Sequence, residues 1–354
     1  MEKIKAGIIG TGGISKFHMG GYKALSNFVD VVAVCDIDEE KVKNYAKAYN
    51  VPRYYTDYNE MMAKEQLDCV SVTTWNSAHK GATIAALKGG ANVICEKPMA
   101  MNAAEAKEML DTAKETGKLL QIGFVRRFEH GCATLKEYAD CGAFGDIYYA
   151  KVAYLRKDGC PGGWFGDKEF SGGGPLIDLG VHVIDFARYI AGCPKPVSAY
   201  GVKYNNLGPK RAQGGAESWS VDQNGGHPFN VEDFTTAMIK FDNGFTLSLE
   251  TSFNLNIKQD KNSIEIFGTK AGASLAPGFE FYTQQDGRYV NLKPPFPGDD
   301  FAQMFRDEIK GFVEACVGLA PCKAPAEDGY ILMKIIDAIY KSAEIGDSVD
   351  ISLD

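Results

Sequence analysis

Lys5-Ala6-Gly7-Ile8-Ile9-Gly10-Thr11-Gly12-Gly13-Ile14-Ser15 decides how the rest of the chain is read. An apolar run, Lys5 to Gly10, stops at a glycine cluster and resumes as a helix-forming stretch, Ile14 to Leu25, which is the pattern of a strand, a tight turn and a helix. Early glycines permit the turn and let a pyrophosphate approach backbone N–H groups at the helix N-terminus. Gly10, Thr11, Gly12, Gly13 and Ile14 are therefore candidate dinucleotide contacts. Ser15 stands where such a fingerprint usually ends in Gly or Ala, a small departure that still permits close helix packing. Without the strand-turn-helix setting, the same glycines would be only a turn.

Moving outward, Val29 to Asp36 reads as the second strand, and Asp36 ends it about 20 residues beyond the glycines, where a carboxylate accepts the adenine-ribose hydroxyls. That favours NAD over NADP, because a 2′-phosphate would be repelled by Asp36, Asp38, Glu39 and Glu40. Alternatively, Asp36 only caps the helix Asp38 to Tyr49. The alternation continues with strands at Cys69 to Thr74, Asn92 to Cys95 and Leu119 to Val125, and helices at Ala78 to Lys88 and Ala103 to Thr116. Asn102 and Glu105 have capping-box spacing. Apolar strands without period-2 alternation, separated by helices, predict a doubly wound parallel sheet covered on both faces and ending near Gly123.

Ligands of such sheets sit at the carboxyl ends of the strands. Thr73, Thr74, Trp75 and Asn76 follow one strand and Glu96, Lys97 and Pro98 the next, so both turns are candidates to touch the ribose and nicotinamide. His79 belongs to the same edge and reads more readily as a structural hydrogen-bonding residue than as a catalytic one.

Past residue 123 the character changes. A helix at Gly131 to Cys141 precedes longer alternating strands at Ile147 to Leu155, Pro196 to Lys203, Phe234 to Phe241, Phe245 to Phe253 and Ser263 to Phe267, with Asp242-Asn243-Gly244 as a hairpin turn. The α/β Rossmann domain, residues 1–123, is thus followed by an α+β domain, residues 124–354, with a largely antiparallel open sheet. One helix, Leu176 to Ile190, interrupts it, and two more, Phe301 to Val317 and Glu327 to Ala343, close the chain and are free to pack back toward the first domain. Gly159 to Pro175 and Asn205 to Asn230 are loops long enough for a lid or substrate contact.

Bulk properties narrow the classes. A chain of 354 residues exceeds one ordinary core, and 45% hydrophobic with 24% charged residues is the balance of a globular protein. A net charge of −8 without a Lys/Arg run argues against nucleic acid. The Met1-Glu2-Lys3 start has no apolar leader and no run is long enough for a membrane span, so a cytoplasmic protein is expected. Nine cysteines without a CxxC pair suggest neither disulfides nor zinc, and Cys35, Cys69 and Cys95 read as buried small hydrophobes. Tyr330 and Lys334 form a Tyr-x-x-x-Lys pair too late in the chain for a short-chain dehydrogenase; no Gly-x-Ser-x-Gly elbow occurs, and the five histidines lack metal spacing.

Five motifs together carry a resemblance: Gly10 to Ser15; Thr74-Trp75-Asn76 with His79; Glu96-Lys97-Pro98; Gly123-Phe124 with Arg126-Arg127-Phe128; and Gly172-Gly173-Gly174-Pro175-Leu176-Ile177-Asp178-Leu179-Gly180-Val181-His182. Over essentially its full length the chain resembles the Gfo/Idh/MocA family, the group of glucose-fructose oxidoreductase and inositol dehydrogenase. The resemblance implies that Lys97, Asp178 and His182 are the reacting groups and that the Lys97–Pro98 bond is cis. Four residues apart in a helix, Asp178 and His182 would share one face, with Gly180 leaving room for a ligand. Outside the family context, such a pair is more often a cap or surface pair, and Lys-Pro a helix start.

The implied reaction moves a hydride between nicotinamide and a secondary carbinol or ketone of a sugar, an inositol-like polyol or a sugar derivative. His182 would take the hydroxyl proton, Lys97 would polarise the oxygen and Asp178 would orient the acid–base group, with Lys97 and His182 open to exchanging roles. The same scaffold also admits an NAD-dependent glycosidase that gives no net NADH, or a non-catalytic NAD-binding regulator. Substrate contacts are expected from Lys97, Asp178 and His182, from Tyr154, from the loop Arg156 to Trp164, and from Arg127. Trp164 and Phe165 either stack on a sugar ring or pack their loop on the sheet, and Arg127 is either a substrate contact or a structural ion pair. The open face of the second sheet would join subunits into a homodimer or homotetramer.

Overall fold

The computed structural model describes residues 3–208, 227–275, 278–294, 298 and 300–353. From the N-terminus the order is β1 (Ile4–Ile9), α1 (Ser15–Ala24), β2 (Val29–Cys35), α2 (Glu39–Tyr49), β3 (Arg53–Tyr55), α3 (Tyr58–Lys64), β4 (Cys69–Val72), α4 (His79–Lys88), β5 (Asn92–Glu96), α5 (Ala103–Thr116) and β6 (Leu120–Gly123). The six strands form one sheet, β3-β2-β1-β4-β5-β6, parallel at every pairing. Every residue of β4 is buried, as a strand covered on both faces must be. Strand order reverses between β1 and β4, and Gly10, Asp36, Thr73 and Lys97 each follow the carboxyl end of a strand.

Local chemistry explains the helix ends. Asp38, not Asp36, caps α2, accepting from Lys41 N–H at 3.0 Å, which leaves the Asp36 carboxylate to other partners. Asn102 caps α5 through Glu105 N–H at 2.9 Å, but the Glu105 carboxylate accepts from Met101 N–H rather than closing back on Asn102. The expected strand to Val125 stops at Gly123, and Val125–Phe128 forms a single tight 3₁₀ turn. β3 and α3 escape the periodicity, one being three residues long with two exposed, the other a two-turn helix.

The chain continues through α6 (His130–Asp140), β7 (Ile147–Leu155), α7 (Lys168–Ser171), α8 (Val181–Ile190), β8 (Pro196–Tyr204), β9 (Phe234–Phe241), β10 (Thr246–Ser252), β11 (Lys261–Gly268), β12 (Gly272–Leu275), β13 (Phe279–Gln285), β14 (Arg288–Leu292), α9 (Phe301–Cys316), α10 (Ala326–Ile345) and β15 (Val349–Asp350). Two units result: Met1–Val125 with Asp300–Tyr330, and Arg126–Asp299 with Ile331–Asp354. α9 thus belongs to the first unit, where Ile309, Phe312 and Val313 complete a core with Ala6, Ile8, Met19, Tyr22, Val34 and Ile94. The fit is close: a methyl group on Gly21 of α1 would lie 2.7 Å from Ile309.

In the second unit nine strands pair in the order β14-β13-β12-β11-β7-β10-β9-β8-β15, antiparallel except for the parallel pair β7 and β10. Alternation separates the faces. Ala150, Val152, Leu247, Leu249, Ile239, Ile264 and Ile266 are buried, and α8 packs against β7, β10 and β11, whereas Tyr200 and Met238 are exposed neighbours across β8 and β9. The hairpin after β9 turns at Gly244, whose φ of 86° suits glycine.

One correction bears on function. Leu176 to Ile190 is not one α-helix: Leu176–Gly180 is a wide π turn, and α8 begins only at Val181. Asp178 and His182 therefore do not have simple α-helical spacing. Nor does Gly180 open space for a ligand, since a methyl group there would meet Leu176 at 3.1 Å and Thr251 at 3.5 Å. The glycine lets the turn lie close to β10.

Among the described residues no helix is long and apolar enough to cross a membrane. Cys35, Cys69 and Cys95 are buried, and burial pushes the Cys35 and Cys95 thiols up to about 12.

Candidate active site

In the first unit the site begins at Gly10. Its φ of 91° and the 2.6 Å that would separate a Cβ from the Thr73 carbonyl both require glycine, and the Thr73 hydroxyl donates to Gly10 O at 2.6 Å. A methyl group on Gly12 would meet nothing within 4 Å, so the backbone of the turn is open where a pyrophosphate would approach. Gly13 and Ile14 are half-buried beside it. Ser15 is fully buried and donates to Gly12 O at 2.6 Å, bracing the turn from behind.

Asp36 follows the second strand, at the carboxyl edge of the sheet. Its Oδ2 accepts from Thr11 N–H at 2.7 Å, the Thr11 hydroxyl at 2.8 Å and Lys41 Nζ at 2.9 Å, and its Oδ1 accepts from Asp38 N–H at 3.2 Å. Burial works to raise the Asp36 pKa, but the hydrogen bonds from Lys41 and Thr11 outweigh it and hold the carboxyl below its ordinary range. It is therefore a carboxylate at neutral pH, as ribose recognition requires. The open Gly12 backbone and the ionised Asp36 fit a dinucleotide.

At the next two strand ends, Thr74 and Trp75 are half-buried and Asn76 is buried. His79 ties these turns together: Nδ1 lies 2.7 Å from Pro98 O and Nε2 lies 3.2 Å from Thr74 O. Burial lowers its pKa, against the two carbonyl contacts, which raise it. The Lys97–Pro98 bond is cis and Lys97 is half-buried. Glu96 is turned inward rather than toward a ligand: Oε1 lies 2.9 Å from His18 Nε2, and Oε2 accepts from Lys97 N–H at 3.1 Å.

In the second unit Asp178, mostly buried, sits in the π turn, and His182 in the first turn of α8 is half-buried. The Asp178 charge acts on Arg156 and Cys160, and Arg156 lies over the Tyr154 ring at 5.4 Å, so Tyr154, Arg156 and Asp178 form one cluster. Burial works to lower the Arg156 pKa; the neighbouring Tyr154 and Asp178 reverse that and raise it. Trp164 and Phe165 stack on each other at 3.9 Å and are half-buried.

Arg127 corrects the expectation of a substrate contact. It is buried and doubly bonded to Asp185, Nε to Oδ2 at 2.9 Å and Nη2 to Oδ1 at 2.6 Å, with Tyr189 under the guanidinium at 4.6 Å. The planar fork is matched to a carboxylate of its own unit. Residues 209–226, most of the expected Asn205 to Asn230 loop, lie outside the described residues.

Sequence reasoning missed Glu232. Its carboxylate accepts from Gly174 N–H at 3.0 Å, Leu176 N–H at 3.2 Å and the Tyr340 hydroxyl at 2.9 Å, and so fixes the entry to the π turn that carries Asp178. Nothing local in Val231-Glu232-Asp233 signals this, because its partners lie more than fifty residues away in the chain.

A glycine-rich turn on a doubly wound sheet, an ionised carboxylate after the second strand and a polar cluster on a second domain are the features of a nicotinamide-dependent oxidoreductase. Residues 4–124 match the model of the oxidoreductase family with an NAD-binding Rossmann fold, and residues 132–274 match the GFO/IDH/MocA C-terminal domain. The chain belongs to the Gfo/Idh/MocA family of oxidoreductases. It is 35% identical to D-glucoside 3-dehydrogenase of Escherichia coli (strain K12), covering 98% of this chain and 97% of that one. Levoglucosan dehydrogenase of Pseudarthrobacter phenanthrenivorans is 28% identical, with 99% of each chain covered. The structure of a levoglucosan dehydrogenase in complex with NADH and levoglucosan superposes with a TM-score of 0.84 at 25% identity, over 99% of this chain and 100% of that one.

Proposed function

We propose that this enzyme oxidises a secondary hydroxyl of a glucoside, or of a closely related sugar or cyclic polyol, and reduces the matching ketone in reverse, with NAD as its cofactor. The observation that carries this is the Tyr154, Arg156 and Asp178 cluster, braced from behind by Glu232. Such a set of donors and acceptors, with the stacked Trp164–Phe165 pair in the loop that follows Arg156, suits a hydroxyl-rich ring with an apolar face. Full-length similarity to a glucoside dehydrogenase narrows the class.

The Gly10 to Ile14 turn and Asp36 would hold NAD, which when bound would supply the hydride acceptor for the carbinol carbon. His182 takes the hydroxyl proton as the C–H electrons depart, leaving a carbonyl, and in reverse it returns that proton. Lys97 donates a hydrogen bond to the oxygen while its charge builds, and Asp178 orients and stabilises the acid–base group. His182→Asn should abolish turnover while NAD affinity stays nearly intact; unchanged turnover would remove His182 from the mechanism.

Incubating the enzyme and NAD with aryl glucosides, free sugars and inositols, while following both NADH and released phenol, tests the reaction class. Net NADH is the expected result, whereas phenol without NADH would assign glycoside cleavage instead. The exposed Tyr200 and Met238 face of the second sheet supports a homodimer or homotetramer, measurable by sedimentation of the Met238→Asp variant. Nine reduced cysteines suit a cytoplasmic enzyme.

A further inference from the structure

Behind Glu96 lies a group that none of these roles uses. Glu308, on α9, is fully buried, and among the described residues neither carboxyl oxygen has a hydrogen-bond partner. One of its oxygens lies within 4.8 Å of both a ring nitrogen of His18 and a carboxylate oxygen of Glu96. The network continues from there: His18 Nδ1 is 3.0 Å from Ser71 Oγ, which is 2.8 Å from the Tyr22 hydroxyl. All of these residues belong to the first unit.

Two carboxylates at this distance in a dry interior repel each other too strongly for both to stay ionised. A divalent ion would relieve the repulsion, and one histidine with two glutamates is plausible zinc chemistry. However, the group offers three donors, one short of a closed tetrahedral site. A proton relieves the same repulsion without a coordination shell.

We infer that Glu308 is held as a neutral acid beside Glu96, relieving the repulsion between the two carboxyl groups, and that Glu308 acts as a positioning residue for Lys97. The link runs through Glu96, whose carboxylate lies within 4.8 Å of Glu308 and also accepts the Lys97 N–H. The positioning role rests on the function proposed for Lys97; the protonation does not. Around Glu308, α1 contributes His18 and, through Ser71, Tyr22; β5 contributes Glu96 and leads into Lys97; Arg306 and Asp307 flank it on its own helix. Burial first, and then the charge of Glu96, push the Glu308 carboxyl well above its ordinary range. An acid raised in the folded state loses stability as pH climbs from the unfolded value toward the folded one. Glutamine, shaped like the neutral acid, has no such loss.

The full-length enzyme should be compared with Glu308→Gln and Glu308→Ala. The Gln variant should melt no lower than the wild type at neutral pH, with its advantage widening toward alkaline pH, and the infrared carbonyl band of an un-ionised acid should be present in the wild type and absent from the variant. Glu308→Ala should lower kcat about tenfold, a loss typical of outer-shell partners, and shift the pH profile of kcat, with little change in the KM for NAD and recovery in Glu308→Gln. A Gln variant that melts lower at every pH, or one tightly bound divalent metal per chain, would overturn the neutral acid. Equal kcat and pH profiles in all three proteins would overturn the positioning role. Failure of the Lys97 mechanism would appear separately, as turnover surviving Lys97→Ala, with the infrared band and melting curves unmoved.

Discussion

Tyr340, on the last helix, donates its hydroxyl to Glu232 at 2.9 Å, and the same carboxylate holds Gly174 N–H and Leu176 N–H at the mouth of the π turn. The turn that carries Asp178 is thus tied to a residue far along the chain. Tyr340→Phe should cost about 1 kcal/mol, whereas Glu232→Ala, which leaves two backbone donors and a hydroxyl unmatched in the interior, should cost about 3 kcal/mol or more. Urea unfolding measures both, and kcat should fall much further in Glu232→Ala.

Asp36 is expected to set both coenzyme choice and acid sensitivity. Asp36→Ser removes hydrogen bonds of a charged acceptor to ribose, each worth about 1.5–3 kcal/mol, so the KM for NAD should rise about tenfold or more while NADP becomes a usable cofactor. Because its folded pKa is lowered, the carboxyl contributes stability at pH above its ordinary value of 3.8 and loses that contribution as pH falls through the folded value. Asp36→Asn should therefore flatten the acid limb of a melting-temperature profile below about pH 4.

Arg127 and Asp185 form a buried ion pair. Arg127→Ala strands the Asp185 charge and should destabilise the protein by about 3–5 kcal/mol, while Arg127→Met with Asp185→Leu should recover most of that loss. In the double variant the KM for sugar should match wild type. A large rise there would return Arg127 to the substrate site.

Trp164 rests on Phe165 and keeps part of its ring exposed. If that ring receives a sugar, Trp164→Ala should raise the KM for sugar about 2- to 10-fold and leave the KM for NAD unchanged. Steady-state kinetics varying each substrate separates the two constants.

Elements whose determinants are local could be read directly. The Gly10 turn, the Asn102 cap on α5 and the Asp242-Asn243-Gly244 hairpin each follow from a few adjacent residues. Partners set by tertiary structure could not. Glu232, His18 and Glu308 have unremarkable neighbours in the chain, and their surroundings exist only after strands and helices distant in sequence have packed. The π turn was hidden because Leu176 to Ile190 reads as one unbroken helical run of mostly apolar residues, and the widening is bound up with close packing of Gly174 on Glu232 and Gly180 on Thr251. Arg127 left two readings open until the fold brought Asp185 to it.

The first domain's core needs α9, yet that helix is encoded long after β6. While the chain emerges from the ribosome, Met19, Tyr22 and Val34 wait without their lid of Ile309 and Phe312 until some two hundred further residues have been added, on the order of 10–40 s at roughly 5–20 residues per second. Biosynthesis therefore passes through a long interval of exposed apolar surface. A fragment cut after residue 125 would remain in that sticky state, so the coenzyme domain is not expected to be expressible alone.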